Sequence, residues 1–200
     1  MRRRTFEILS CAGIPNGRLD RTKSIAHNVN ASVDFLKELR KEREALTVYS
    51  EVGSTMSEIE MLKVTETREV PGAGKSVASL LEKGYSVAVL TRGSRRYTEA
   101  ALEASGLAHC LPHRVCRDDH PDEEAKPNPV SMSRASEKMR LRKEECLLVG
   151  DHPMDLECAR SAGSGFIGVL SGATDRATWM RDEDVIIIPD VSHLPPLLLR

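Results

Sequence analysis

The stretch Cys146-Leu147-Leu148-Val149-Gly150-Asp151-His152-Pro153-Met154-Asp155 decides the reading of the chain. Cys146 to Val149 is a short apolar run that reads as a buried strand. Gly150 is expected to let the backbone turn sharply at the strand end. Asp151 then projects into the crevice beyond the strand, and Asp155 returns from the first turn of a helix over Met154 to Ala162. Hard oxygen donors with room for waters suit Mg²⁺. The plainer account of Asp155 is a carboxylate that complements a helix dipole.

Upstream lies Lys126-Pro127-Asn128-Pro129, a lysine on a loop stiffened by two prolines. An ammonium is a compact point charge suited to a phosphate oxygen; a solvated loop lysine is the plainer reading. Further upstream, Thr91-Arg92-Gly93-Ser94 follows the strand Ser86 to Leu90 and opens a helix. The Thr91 hydroxyl and the free N–H groups there, that of Gly93 included, suit an anion. A strand-to-helix turn with Ser94 as N-cap accounts for the same residues. Arg92 is a candidate for a further contact to a phosphate or its leaving group.

The rest of the chain divides into two textures. The first third reads helical and charged: Thr5 to Ala12 as a short helix broken at Gly13 to Gly17, then Val33, Leu36 and Leu39, and Tyr49, Val52, Met56 and Ile59, at helical spacing. Val70-Pro71-Gly72 marks the change. Helices over Ala73 to Lys83, Arg95 to Ala104, Pro129 to Met139 and Asp175 to Met180 then alternate with strands over His113 to Cys116, Phe166 to Leu170 and Val185 to Ile188. That alternation predicts a doubly wound α/β core over 70–200 with its ligand site at the carboxyl ends of the strands, and a helical unit over 1–69.

Composition narrows the function. The formal net charge is −1 and 4% of residues are aromatic, so neither a field for a polyanion nor a platform for stacked bases is expected, and no nucleic-acid partner. Met1-Arg2-Arg3-Arg4 is followed by no apolar run, and no stretch reaches membrane-spanning length, so no membrane partner is expected. Five cysteines without a C-x-x-C read as reduced thiols of a cytoplasmic protein. Gly74-Lys75-Ser76 lacks the strand and first glycine of a phosphate-binding P-loop, and Gly163 to Gly168 runs from helix into strand, the reverse of a dinucleotide fingerprint. His109, Cys110, His113, Cys116 and His120 match no standard zinc spacing.

Threonine after a strand, lysine on a loop, then Gly-Asp-x-x-x-Asp after a later strand: in that order the chain resembles the haloacid dehalogenase-like superfamily, nearest in texture to its phosphoglycolate-phosphatase-like branch with a helical cap. The resemblance covers nearly the whole chain, with about Gly13 to Glu69 as cap. It implies Mg²⁺-dependent hydrolysis of a small phosphorylated metabolite. Thr91 and Lys126 would be its catalytic and phosphate-binding residues, and Asp151 with Asp155 would complete the metal site. The departure is at the start. The family opens on a strand ending Asp-x-Asp-x-Thr, whose first aspartate is the nucleophile and whose second is the acid/base. This chain opens on MRRRTFEILS, and Leu19-Asp20-Arg21-Thr22 has no preceding strand and no second aspartate, so it offers no nucleophile. The family places that strand mid-sheet, between those ending at Thr91 and Asp151. Three outcomes are open: a start lying upstream, which is favoured; direct closure of the two flanking strands; or replacement by Leu46 to Val52. Negligible turnover is expected of the chain as given, and unpaired strand edges would promote a homodimer. A non-catalytic binding or regulatory protein on the same scaffold is the other reading.

Overall fold

The computed structural model describes every residue except Ser24, Glu183 and Arg200, so the last residue of the expected core lies outside the described residues. The chain forms two compact units, Met1–Lys63 and Val64–Arg200. The division falls a few residues before Val70, because Val64–Glu66 forms a single 3-10 turn that packs within the second unit.

The first unit holds three helices, α1 (Arg2–Cys11), α2 (Ile25–Glu38) and α3 (Glu42–Met61). Its core is Leu9, Ile14, Val29, Leu36, Ala45, Val48 and Val52. The inward stripe of α3 runs through Ala45, Val48 and Val52 with Met56 packed against it, so Val52 and Met56 of the expected stripe face the core and Tyr49 does not. Tyr49 is exposed, as is Leu39, which lies beyond the end of α2. Val48 and Tyr49 both lie at helical spacing from Val52, and only the neighbouring helices select between them.

The second unit alternates helix and strand: α4 (Ala73–Glu82), β1 (Ala88–Leu90), α5 (Arg95–Ala104), β2 (His113–Val115), α6 (Val130–Met139), β3 (Leu147–Gly150), α7 (Pro153–Ala162), β4 (Gly165–Val169), α8 (Arg176–Trp179), β5 (Ile186–Ile188) and α9 (Leu194–Leu198). All strand pairs are parallel, as short strands joined by helices require. They form two sheets, β1-β2 and β3-β4-β5. β1 and β3 are not hydrogen-bonded to each other, so direct closure is not what the chain adopts. Leu46 to Val52 lies within α3, so that segment supplies no strand.

Helices α6 and α7 connect the sheets. Met132 of α6 and Cys158, Ala159 and Ala162 of α7 pack with Cys146 and Leu148, and Leu90 at the end of β1 joins them. A second cluster gathers Leu80, Ile167, Val169, Ile188 and Leu194. Helix α9, which contains Pro195 and Pro196, was not anticipated from the sequence. Both prolines fall in its first turn, where an N–H has no partner inside the helix and proline is tolerated.

Candidate functional site

The carboxyl ends of β1 and β3 are joined by a side chain. The Lys126 ammonium donates to the Leu90 carbonyl at 2.9 Å and to Asp155 Oδ1 at 2.6 Å. Leu90 ends β1 and immediately precedes Thr91; Asp155 lies in the first turn of α7, after β3. The Lys126 and Asp155 side chains are only 11% and 5% exposed. An ion pair shielded in this way keeps much of its Coulomb attraction, while each partner depends on the other to offset its lost hydration.

Both oxygens of Asp155 are engaged. Oδ1 takes the Lys126 ammonium, and Oδ2 accepts from the backbone N–H of His152 at 3.1 Å. His152 is the N-cap of α7, and its Nδ1 accepts from the Met154 N–H at 3.2 Å. Asp155 thus does what the plainer reading assigned to it, satisfying a donor at a helix start, and also pairs with a lysine brought from 29 residues away.

Gly150 owes its place to space, not to a turn. It lies in β3 opposite Gly168, with no positive φ, rather than making the sharp turn expected at the strand end. A Cβ there would stand 2.5 Å from the Asp155 Cβ. Absence of a side chain is what lets the helix carboxylate lie against the strand.

Asp151 is held from the far side. Its Oδ2 accepts from the Ala173 N–H at 2.7 Å, in the loop after β4. A Cβ on Gly172 would collide with Asp151. Gly172 and Ala173 were not legible as site residues; the only sequence signal is a Ser-Gly pair just past a strand. Oδ1 of Asp151 accepts no hydrogen bond among the described residues, so this carboxylate keeps an open edge.

Around Thr91 the backbone turns tightly. Its N–H donates to Val115 O at 2.9 Å, and its Oγ1 accepts from the Gly93 N–H at 3.0 Å. Ser94 is the N-cap of α5 and accepts from the Tyr97 N–H at 3.3 Å, so the capping account of this motif holds for Ser94. Arg92 turns toward the protein: its guanidinium donates to Asp122 Oδ1 and to the Lys126 carbonyl, both at 2.8 Å. Thr91, Arg92, Lys126 and Asp155 are therefore linked at one end of the sheets, with Asp151 four residues before Asp155 on the same strand-to-helix connection.

Mg²⁺ usually keeps several waters and binds one or two carboxylates together with a substrate phosphate. The open edge of Asp151 beside Asp155 fits that mode. A closed protein cage does not fit: among the described residues no group of three or more His, Cys, Asp or Glu side chains is disposed to hold a metal, the His109 to His120 cluster included.

The chain belongs to the haloacid dehalogenase-like hydrolase family, whose profile matches residues 18–169. Among similar proteins, the phosphoglycolate phosphatase of Vibrio parahaemolyticus is 26% identical over 152 residues, covering 75% of this chain and 61% of its own length. The pyrophosphatase PpaX of Bacillus mycoides is 29% identical over 126 residues, 63% of this chain and 58% of its own. The chain thus spans less than two thirds of each of these relatives. Among solved structures, a hydrolase from Pseudomonas syringae aligns with a TM-score of 0.64 at 20% identity, over 96% of this chain and 88% of that one. A hydrolase of the same superfamily from Ehrlichia chaffeensis aligns at 0.55 and 15% identity, over 100% and 87%. These structural likenesses bear on the fold alone. No helix among the described residues is long and apolar enough to cross a membrane.

Proposed function

We propose that this chain carries the phosphate-binding and metal-binding side of a phosphatase site, acting on a small phosphate monoester with Mg²⁺. The observation behind the reading is the position of the Lys126 ammonium between Leu90 O and Asp155 Oδ1, which brings Thr91, Lys126 and Asp155 to one place. Lys126 supplies positive charge to the phosphoryl oxygens, and the Thr91 hydroxyl orients them; the Gly93 N–H expected to join it donates to Thr91 Oγ1 instead. Asp151, through its open Oδ1, would hold Mg²⁺, which when bound would neutralise charge on the phosphate, and Asp155, whose oxygens are both engaged, fixes Lys126 beside it. The helical unit serves as the cap that selects the substrate and limits water. The names of the relatives support a small substrate, phosphoglycolate or a pyrophosphate among them.

Turnover by this chain itself is proposed to be negligible. No described strand ends in Asp-x-Asp, and on this reading the carboxylate that forms the family's aspartyl-phosphate is missing from the chain. The test compares the chain with a version preceded by one strand ending Asp-x-Asp-x-Thr. Inorganic phosphate binding is followed by calorimetry, and hydrolysis of p-nitrophenyl phosphate is followed with and without Mg²⁺. The chain alone should bind phosphate without hydrolysis, and the extended form should hydrolyse when Mg²⁺ is present. Brisk Mg²⁺-dependent hydrolysis by the chain alone would refute the inactivity. Absence of phosphate binding in both forms would refute the site.

A further inference from the structure

Two loops at the site exchange cations. The Lys126 side chain reaches the backbone of the Thr91 loop at Leu90 O, and the Arg92 side chain reaches the backbone of the Lys126 loop at Lys126 O. Each loop's positive group satisfies a carbonyl of the other. Arg92 is fixed in turn by Asp122, with side chains 25% and 10% exposed, and the Arg92 carbonyl accepts from the buried Arg117 at 3.1 Å. A guanidinium with two partners at 2.8 Å on diverging nitrogens is held in direction as well as place.

We infer that Arg92 and Asp122 are positioning residues that set the reach of Lys126 toward a bound phosphoryl group, and that Arg92 does not itself touch the anion. The inference rests on the phosphate-site reading above and replaces the direct phosphate contact expected of Arg92 from the sequence. Both donors that Arg92 uses point at protein acceptors far away in sequence, Lys126 O 34 residues on and Asp122 Oδ1 30 residues on. Loss of the clamp frees the Lys126 backbone while leaving its ammonium in the chain, so affinity for the anion should fall without disappearing.

The experiment is a double-mutant cycle read by inorganic phosphate binding. Lys126→Gln removes the charge and keeps a donor; Arg92→Ala removes the clamp. Lys126→Gln should weaken binding at least tenfold, Arg92→Ala about three- to tenfold, and the double variant no further than Lys126→Gln alone, because residues acting through one group are non-additive. Asp122→Asn, which keeps the acceptor oxygen and loses the charge, should fall between wild type and Arg92→Ala. If Arg92→Ala does not fold, Asp122→Asn combined with Lys126→Gln completes the cycle. Additive losses would mean that Arg92 contacts the anion directly, and an unchanged affinity in Arg92→Ala would mean that it positions nothing; either overturns the inference. No effect of Lys126→Gln would instead defeat the phosphate-site reading itself.

Discussion

Lys126 and Asp155 illustrate how far one residue's effect depends on its partner. Removing one member of a buried pair leaves an uncompensated charge, at a cost of about 3–5 kcal/mol. Against a typical domain stability of about 5–15 kcal/mol that is a severe loss. Lys126→Ala should therefore lower the urea midpoint sharply, and adding Asp155→Asn to it should recover much of the loss, since the neutral amide needs no counter-charge. Gly150→Ala should disturb the same pair by another route, because the new methyl meets Asp155 and neither strand nor helix can easily yield; weakened phosphate binding together with a lowered midpoint checks it. Thiols provide a third residue-scale expectation. Burial raises the Cys116, Cys146 and Cys158 pKa values, whereas Cys11 is exposed. Iodoacetamide should modify Cys11 first, with those three thiols reacting only once denaturant opens the fold. The site's residue types were legible in the sequence because lysine, threonine and paired aspartates at strand ends have a chemistry of their own. Gly172, Ala173 and Asp122 were not, because what they contribute is an N–H, an empty space and a long-range acceptor, none of which leaves a local pattern.

At the scale of elements, the helices and strands of the second unit were legible to within two residues at most ends, since Gly and capping residues mark where they stop. Arg95–Ala104 has Ser94 as N-cap and Gly106 in the left-handed conformation just beyond its end. The orientation of α3 was less legible, because Val48 and Tyr49 are both apolar neighbours on a helix and the sequence does not name the surface they meet. Val48→Ala should cost about 1.5–2 kcal/mol from two lost buried carbons, while Tyr49→Ala should stay within about 0.5 kcal/mol; urea melts of the two variants distinguish the stripes. The start of α5 also carries a pH-dependent contact. Burial is the largest single influence on Asp119 and raises its pKa, but the Arg95 hydrogen bond, the Cys116 N–H and the nearby positive charges together outweigh it and hold the carboxyl below its usual value. A carboxyl lowered by folding stabilises the native state above its unfolded pKa of about 3.9, and that contribution is lost as pH falls through the folded value. Arg95 is 37% exposed, so solvent screening limits the effect to about 0.5–1 kcal/mol. Asp119→Asn should lower the midpoint slightly at pH 7, and the difference from wild type should shrink as pH falls through the folded pKa of Asp119.

For the molecule as a whole, the alternation of strand and helix established a parallel α/β core, yet it did not establish which strands would pair. Periodicity shows that a segment is extended and buried; pairing depends on what lies beside it. β4 is hydrogen-bonded on both edges, by β3 and by β5, whereas among the described residues β1 pairs only with β2. A strand held on both sides opens only with much of its domain, and one held on a single side opens locally at lower cost. Amide hydrogen exchange should therefore be graded, with Ile167 to Val169 among the slowest amides and Ala88 to Leu90 at least about tenfold faster, equivalent to about 1.4 kcal/mol. The apolar residues of β1 are half-buried while Ile167 and Val169 are buried, so side-chain packing pushes the same way. Adding the Asp-x-Asp strand upstream should slow the β1 amides toward the β4 rate if the new strand pairs with β1. If β1 is already as protected as β4 in the chain alone, its free edge is covered in solution, and a self-associated form found by sedimentation at the same concentration would be the reason.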